Sequence, residues 1–576
     1  MTRHGPSAAT SETATTTASE ADAPHETSPS STPWRPRRLV PGILSAAVVG
    51  GLALTSGVAL TATSGWLITA ASFRPQILTL LAVIVAVRAF GIARPVLRYV
   101  ERVASHDAAL AALAEDRGRV YDRLVPLTPA RLGARGRGDV LTGVVDDLDD
   151  VAYAQVRVVV PFVALGITGL AAVLIDAVFL LPAVPVIVST IVVTLLVGAL
   201  DWWIEHRTQD AVVTARARVA DVAATLARDG AELAAIGAHA GAAAWLDEAQ
   251  RGLSRAVRAQ AWGRAVGVGL MPLVAVGHAV WMAFLVEPWV QVGFRTPLAA
   301  LLVLTPIALG EVIGAIPDAV GSLARAQGAS ARLRALLGQT PAAAHSDAPP
   351  NPDAPGPGPH PTVNARGLAA SWDGHRPALT GADLDLAPGE VVGIVGPNGS
   401  GKSTLLATLA RHLDPTHGTY HLGEVDALAQ TPADVRTHLA IVDDEVHVFA
   451  SSLRENLRLA RPDATDDEIH AALDLAGLGE LVAAFPDGLD ERLGSGGRGL
   501  SGGERARLGI ARALLSERPV MLLDEPVAHL DHPTAVAVLG DLVTAARDRG
   551  VVLVTHRTEG LADATRVVAL EAAPGR

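Results

Sequence analysis

The chain has 576 residues, a mean hydropathy of +0.33, only 18% charged residues and a formal net charge of −12. That is too long for one domain and too apolar for a protein wholly in water, so some of it is expected to lie in lipid. The acidic balance argues against nucleic acid as a partner, and the lack of cysteine excludes disulfides, thiolate catalysis and cysteine-held metals in this chain, though not a thiol as cargo.

Residues 1–33 are rich in Ser, Thr, Ala and Pro with no apolar run, and read as a disordered cytoplasmic tail. They are not a signal peptide, because the apolar segment after Trp34-Arg35-Pro36-Arg37-Arg38 is too long and no cleavage context follows. Six apolar stretches, at about 39–64, 76–97, 155–176, 179–200, 265–287 and 296–317, are long enough to cross a bilayer. The connections after the first, third and fifth are short and nearly free of basic residues beyond Arg74 and Arg295. The other two run to about 55–65 residues and are dense in arginine, including Arg102, Arg117, Arg123, Arg207, Arg216 and Arg228. The positive-inside rule puts these long segments and both termini in the cytoplasm. Their Ala- and Leu-rich amphipathic patterns, at 108–124 and 211–227, predict that the membrane helices continue well past the bilayer. The membrane domain spans 34–338, and 339–361, with Pro349, Pro350, Pro355, Pro357, Pro359 and Pro361, reads as a linker.

From 362 to 576 short β-branched runs alternate with helical patterns, an α/β domain. Its first motif is Gly396-Pro397-Asn398-Gly399-Ser400-Gly401-Lys402-Ser403, between the apolar run 391–395 and a helical pattern that begins near Thr404; it fits the phosphate-loop pattern GxxxxGK[ST]. The glycines let successive amides turn inward around a phosphate, and the helix dipole adds positive potential there. Lys402 should reach the β- and γ-phosphates and the Ser403 hydroxyl a Mg²⁺ ion. Lys402 is also the only lysine in the chain. A compact ammonium between phosphates cannot be replaced by a planar guanidinium, whereas other basic positions tolerate arginine. A second strand pattern, 520–523, ends in Asp524 and Glu525: the first suits the Mg²⁺ shell, the second the polarisation of an attacking water. Upstream, Leu500-Ser501-Gly502-Gly503-Glu504 opens a helix and offers another anion site.

With these motifs on one domain, the region 370–560 resembles an ABC-transporter ATPase. Leu500 to Glu504 matches that family's signature, Ala528-His529-Leu530-Asp531 its D-loop, and His556 its switch histidine, while Trp372 takes the place of the aromatic that stacks on adenine. The resemblance implies ATP and Mg²⁺ as cofactors, and two such domains closing head to tail with each ATP between one phosphate loop and the other signature. One departure stands out: the Q-loop glutamine falls on Asp444, within Asp443-Asp444-Glu445. An aspartate can still meet the metal, but three adjacent acids make the field more negative and are expected to slow γ-phosphate chemistry.

Six spans ahead of one ATPase domain resemble an exporter half-transporter, whose coupling segments are expected near Gly138–Asp147 and Asp229–Gly237. Ser64-Gly65-Trp66-Leu67-Ile68, together with Arg88 through Arg94, Arg98, Glu101 and Arg102 to Ser105-His106-Asp107, resembles the CydC/CydD transporters that support cytochrome bd assembly. Arg557 and the D-loop lean toward the CydC half. That resemblance implies a heterodimer with a CydD-like half and a cargo of reduced thiols, such as glutathione or cysteine, or haem. Arg88, near mid-bilayer, is expected either to hold a cargo carboxylate or to pair with Glu311. His278 is a candidate haem ligand or a packed, hydrogen-bonded histidine, and Arg94, Arg98 and Arg102, on one helical face, read as anchors to lipid headgroups and partners of Glu101 rather than as cargo contacts. A homodimeric lipid, drug or peptide exporter, and an ATP-binding half with weak hydrolysis, are the competing readings.

Overall fold

The computed structural model describes residues 40–127, 137–344, 356–444, 446–494, 499–528, 532–546, 548–556, 561–562 and 564–571, with 137–143 and 239 as backbone only. The 1–33 tail, most of the linker, Glu445, residues His529–Asp531 of the D-loop and Arg557 lie outside these residues.

The apolar stretches form long helices: α1 (Ile43–Ser72), α2 (Ile77–Leu124), α3 (Arg137–Ala154), α4 (Val160–Phe179), α5 (Val184–Ala235), α6 (His239–Gln291), α7 (Thr296–Ile313) and α8 (Ile316–Leu337). Among the described residues six helical segments are long and apolar enough to cross a membrane. At 1.5 Å per residue the 48 residues of α2 reach about 72 Å, more than twice the roughly 30 Å hydrocarbon core. The arginine-rich connections are thus helical continuations of the spans. Helix α3 runs into α4 through a single π-helical turn, Gln155–Val159, and α7 breaks from α8 at Gly314-Ala315. Helix α1, with no charged residue, is the central packing element and contacts α2, α4 and α7. Below the membrane level, Arg332 grips the Asp147 carboxylate with its Nε 3.1 Å from each oxygen, tying α8 to α3. Gly138–Asp147 lies in α3, and Asp229–Gly237 covers the end of α5 and its turn, where Gly237 takes φ 70°.

The second half has two sheets. An antiparallel sheet has order β2-β1-β4-β5: β1 (Val363–Ala370), β2 (Leu379–Leu386), β4 (His417–Leu422) and β5 (Val425–Asp426). A parallel sheet has order β6-β7-β8-β3-β9: β3 (Val391–Val395), β6 (Leu439–Val442), β7 (Val520–Asp524), β8 (Gly550–Val554) and β9 (Arg566–Ala569). Strands β3, β7 and β8 are almost wholly buried, as their unbroken Val/Leu/Ile runs require of central parallel strands. Around them lie α9 (Lys402–Leu409), α10 (Pro432–Thr437), α11 (Leu453–Arg458), α12 (Asp466–Leu475), α13 (Gly479–Ala484), α14 (Gly502–Leu515) and α15 (His532–Ala545). The segment at 342–344 is no free linker: Ala342 packs on the core of this domain, its carbonyl accepts from Asp414 N at 2.8 Å, and Ala344 N donates to the Asp414 carboxylate at 2.7 Å.

Candidate functional site

Strand β3 delivers the chain into the loop Gly396–Gly401 at the carboxyl end of the parallel sheet, where α/β folds place ligands. Gly401 caps α9 with φ 95°, and a Cβ there would lie 2.6 Å from the Ala378 carbonyl oxygen. A side chain would be both strained and blocked. Lys402 is buried and its ammonium donates to the carbonyls of Gly396 (3.0 Å) and Pro397 (3.2 Å), folded back over the loop. Ser400 Oγ is buried with no hydrogen-bond partner among the described residues. An orphaned hydroxyl inside a ring of amides fits a phosphate oxygen, and this is the feature of the loop that asks for a ligand.

Three further groups converge on this loop. The Ser403 side chain hydrogen-bonds the Asp524 carboxyl at the end of β7, so the two expected Mg²⁺ ligands meet. Burial pushes the Asp524 carboxyl up from its ordinary range, the Ser403 bond pulls it down, and the charges of Asp443, Glu525 and Asp444 push it up again. A divalent cation would relieve that field. Thr404 Oγ1 accepts from the Trp372 indole N–H at 3.1 Å, which holds the aromatic beside α9 with more than a third of it exposed. Glu525 is forced into the left-handed region, φ 45°, with its N–H on the Val554 carbonyl at 3.0 Å. This turn aims its carboxylate at His556, whose Nδ1 lies 2.9 Å from Glu525 Oε2. Asp444 is exposed, following β6, and its N–H donates to the Asp443 carboxylate at 3.1 Å.

The Ser501–Glu504 motif is a capping box on α14: Glu504 N donates to Ser501 Oγ (3.3 Å) and Ser501 N to Glu504 Oε2 (2.6 Å). Serine and glutamate therefore fix the helix start, which leaves the amides of Gly502 and Gly503 as its anion-facing donors. Sequence reading missed Arg512, which donates from α14 to the carbonyls of Asn456 (2.8 Å) and His447 (2.6 Å) and so locks the signature helix to the segment after the Q-loop. It also missed Arg411, fully buried just after α9.

Within the membrane domain, Glu311 takes a different partner from the one expected, and His278 takes the packed one of its two readings. Glu311 pairs with Arg94, at 2.7 Å, not with Arg88. Arg88 is exposed on α2 and has no ion-pair partner among the described residues. The histidine His278 is saturated: Nε2 lies 3.1 Å from Ser189 Oγ and Nδ1 2.8 Å from the Val274 carbonyl, the bonding of a packed histidine and not of a ready ligand. Nor are Arg98 and Arg102 only surface anchors. With Arg157, His106, Tyr153, Glu101 and Glu311 they line a cavity of about 530 Å³ between α1, α2, the π-helical turn, α4 and α7. Glu311 is answered by Arg94, and Glu101 by Ser105 Oγ at 3.1 Å and Arg98 at 3.9 Å. Arg102 and Arg157 have no ion-pair partner among the described residues, so the cavity is cationic. Tyr153 stacks on His106 and lies under Arg157. A π-turn is a common device at functional sites, and here it carries Arg157.

A phosphate loop, an acid-ended strand with a histidine on its second acid and six apolar spans in one chain fit an ATP-hydrolysing, multi-pass membrane transporter subunit: the ATP-binding and permease half of an exporter of the ABC type. Residues 379–528 match the family model described as ABC transporter. The chain resembles CydC: it is 28% identical over 492 residues to the "Glutathione/L-cysteine transport system ATP-binding/permease protein CydC" of Escherichia coli strain K12, covering 84% of each. The "Beta-(1-->2)glucan export ATP-binding/permease protein NdvA" of Bradyrhizobium diazoefficiens is 39% identical over 36% of this chain and 35% of its own. Among solved structures, "Structure of a bacterial Atm1-family ABC exporter with ATP bound" superposes with a TM-score of 0.79 at 21% identity, over 92% of this chain and 94% of that one.

Proposed function

We propose that this chain is the CydC-like half of a heterodimer with a CydD-like partner. The heterodimer moves a carboxylate-bearing cargo, a thiol reductant such as glutathione or cysteine, or haem, across the cytoplasmic membrane in support of cytochrome bd assembly. The membrane domain is 34–338 and the nucleotide domain 362–576, with the latter and both termini cytoplasmic. The observation that carries the cargo class is the cationic cavity. Arg102 and Arg157 present guanidinium groups suited to carboxylates, and His106, not His278, is the imidazole available to an iron porphyrin.

In the ATPase domain, the loop amides, Ser400 Oγ and Lys402 hold the phosphates of ATP while Trp372 stacks on the base. Lys402 leaves the two loop carbonyls for the phosphates when the nucleotide enters. Ser403 and Asp524, with Asp444 beside them, hold Mg²⁺, which when bound neutralises charge on the phosphate oxygens. Glu525 polarises the attacking water, and His556 orients Glu525 through their hydrogen bond. The amides of Gly502 and Gly503 and the side chain of Asp531 serve the ATP held on the partner half.

A second reading, an ATP-binding half with weak hydrolysis, draws on the exposed Asp443-Asp444 pair where a glutamine is usual. A homodimeric lipid, drug or peptide exporter is the third. ATPase activity of the purified complex, titrated with haem, glutathione, cysteine and an unrelated lipid, separates them. Saturable stimulation by haem or a thiol, lost in Arg102→Gln/Arg157→Gln, is expected; stimulation by the lipid alone would overturn the cargo assignment.

A further inference from the structure

Asp176 lies three residues before the end of α4, just ahead of the tight turn at Leu181–Ala183 that starts α5. This is the end of the membrane domain distal to the long helical extensions. Its side chain is fully buried, and both carboxyl oxygens lack a hydrogen-bond partner, alone among the solvent-inaccessible carboxyl oxygens of the described residues. Its neighbours along the chain, Ala172, Leu180 and Ala183, belong to an apolar cluster that also takes in Val58 and Ala62 of α1, Ile187 of α5, Met282 of α6 and Leu302 of α7.

No counter-charge is built into that wall. Helix α1 has no ionisable residue, and α5 has none before Asp201. Helix α7 carries only Glu311, which is taken by Arg94 at the other end, with Arg295 preceding its first turn. Helix α6 brings His278, already bonded on both nitrogens, and Glu287, which is exposed. A carboxylate in this setting would meet neither a donor nor a cation among the described residues, a setting in which a charged side chain is costly. Even so, an orphaned buried carboxyl costs stability that leucine would not, and no contact in this packed arrangement repays it. The repayment belongs to another state of the protein.

We propose that Asp176 is a proton-binding site coupled to opening of the distal ends of the membrane helices, whatever the cargo. With α1, α4, α5 and α7 packed, the carboxyl keeps its proton. When their distal ends separate, water reaches it, the O–H bond breaks and the proton leaves to the solvent on that side, leaving a hydrated carboxylate. Closure requires the proton back. Protons therefore favour the packed state, and rising pH favours the open one, by up to about tenfold per pH unit once above the range where a hydrated aspartate titrates, about 3.9.

The chain's lack of cysteine makes the test direct. Ser72→Cys and Leu181→Cys, both at exposed positions at the distal ends of α1 and the α4–α5 turn, take spin labels in the full complex with a cysteine-free partner in nanodiscs. Distance distributions are then recorded from pH 6 to pH 8. The open population is expected to rise with pH over that range, flattening once the packed state also loses its proton, and Asp176→Asn, which mimics the neutral acid, should be flat. Asp176→Leu, an apolar replacement that no assembly defect of the amide would share, should be flat and packed. A pH response that survives in Asp176→Asn or Asp176→Leu, or no response in the unsubstituted chain, overturns the proposal.

Discussion

Arg411 offers the clearest energetic test of how the phosphate-loop helix is held. It follows α9 directly, is fully buried, and spends its whole guanidinium on the domain: Nε to Asp414 at 2.7 Å, Nη2 to the same carboxylate at 3.4 Å, and Nη1 to the carbonyls of Gln430, at 3.1 Å, and Ala427. Arg411→Met keeps the chain length and removes every donor. The carbonyls of Ala427 and Gln430 lose a donor and the half-buried Asp414 carboxylate loses its cation, keeping only the Ala344 N–H, so about 3–5 kcal/mol should be lost in all. For a domain of this size each kcal/mol moves the midpoint by about 2–4 °C, giving a drop of about 6–20 °C in the ATPase-domain transition. Scanning calorimetry of the purified complex measures it, with ATP affinity followed in parallel. A loss below about 1 kcal/mol would refute the view that this arginine staples α9 to the β5–α10 segment.

Glu525→Gln should lower single-turnover hydrolysis at the site on this chain's phosphate loop by about 10²–10⁴ while leaving the ATP dissociation constant unchanged; an unchanged rate removes Glu525 from catalysis. Asp444→Gln takes one negative charge from the metal site and should raise turnover several-fold while weakening Mg²⁺ activation, read from rate against Mg²⁺ concentration; a fall in turnover would show that the aspartate is needed. Arg157→Gln should raise the cargo concentration giving half-maximal ATPase stimulation by about 10–100-fold, the worth of one charge-assisted hydrogen bond, without changing basal hydrolysis. His412, pushed down to about 4 by burial and then by the neighbouring Arg436 charge, stays neutral in the fold while the unfolded chain binds a proton below about 6.5. Stability should thus be full above that value and fall by about 2–3 kcal/mol toward pH 4, a slope that thermal scans of His412→Gln should flatten.

The sequence carried the spans and the phosphate loop because each is written in local terms. A bilayer needs some twenty apolar residues in a row, and Gly401 and Lys402 are dictated by their immediate neighbours. The wrong partner for Glu311 has the opposite origin. Arg88 and Arg94 lie six residues apart, about 120° around the helix, and hydropathy does not say which face meets α7. The same blindness left Arg98 and Arg102 as lipid anchors and partners of Glu101. Their shared helical face was legible, but Tyr153 at the end of α3 and Arg157 on the π-turn that follows complete the cavity, and no periodicity announces that turn. Arg411 left a faint local trace in Asp414 three residues on, while Arg512 left none, since its acceptors, the carbonyls of His447 and Asn456 and the Asn456 side-chain oxygen, are uncharged and far along the chain.

Helix α2 has a consequence for the cell as well as for the machine. Only 6% of its membrane window is buried within the chain, against 50% for α1, and Arg88 stands on it with no ion-pair partner among the described residues. A lone copy of this subunit therefore shows lipid a bare helix with a charge at mid-depth, the kind of defect membrane quality control recognises. In the proposed heterodimer its abundance should follow that of the other half and not its own synthesis: made in excess, the surplus is expected to be cleared by proteolysis until the two halves match.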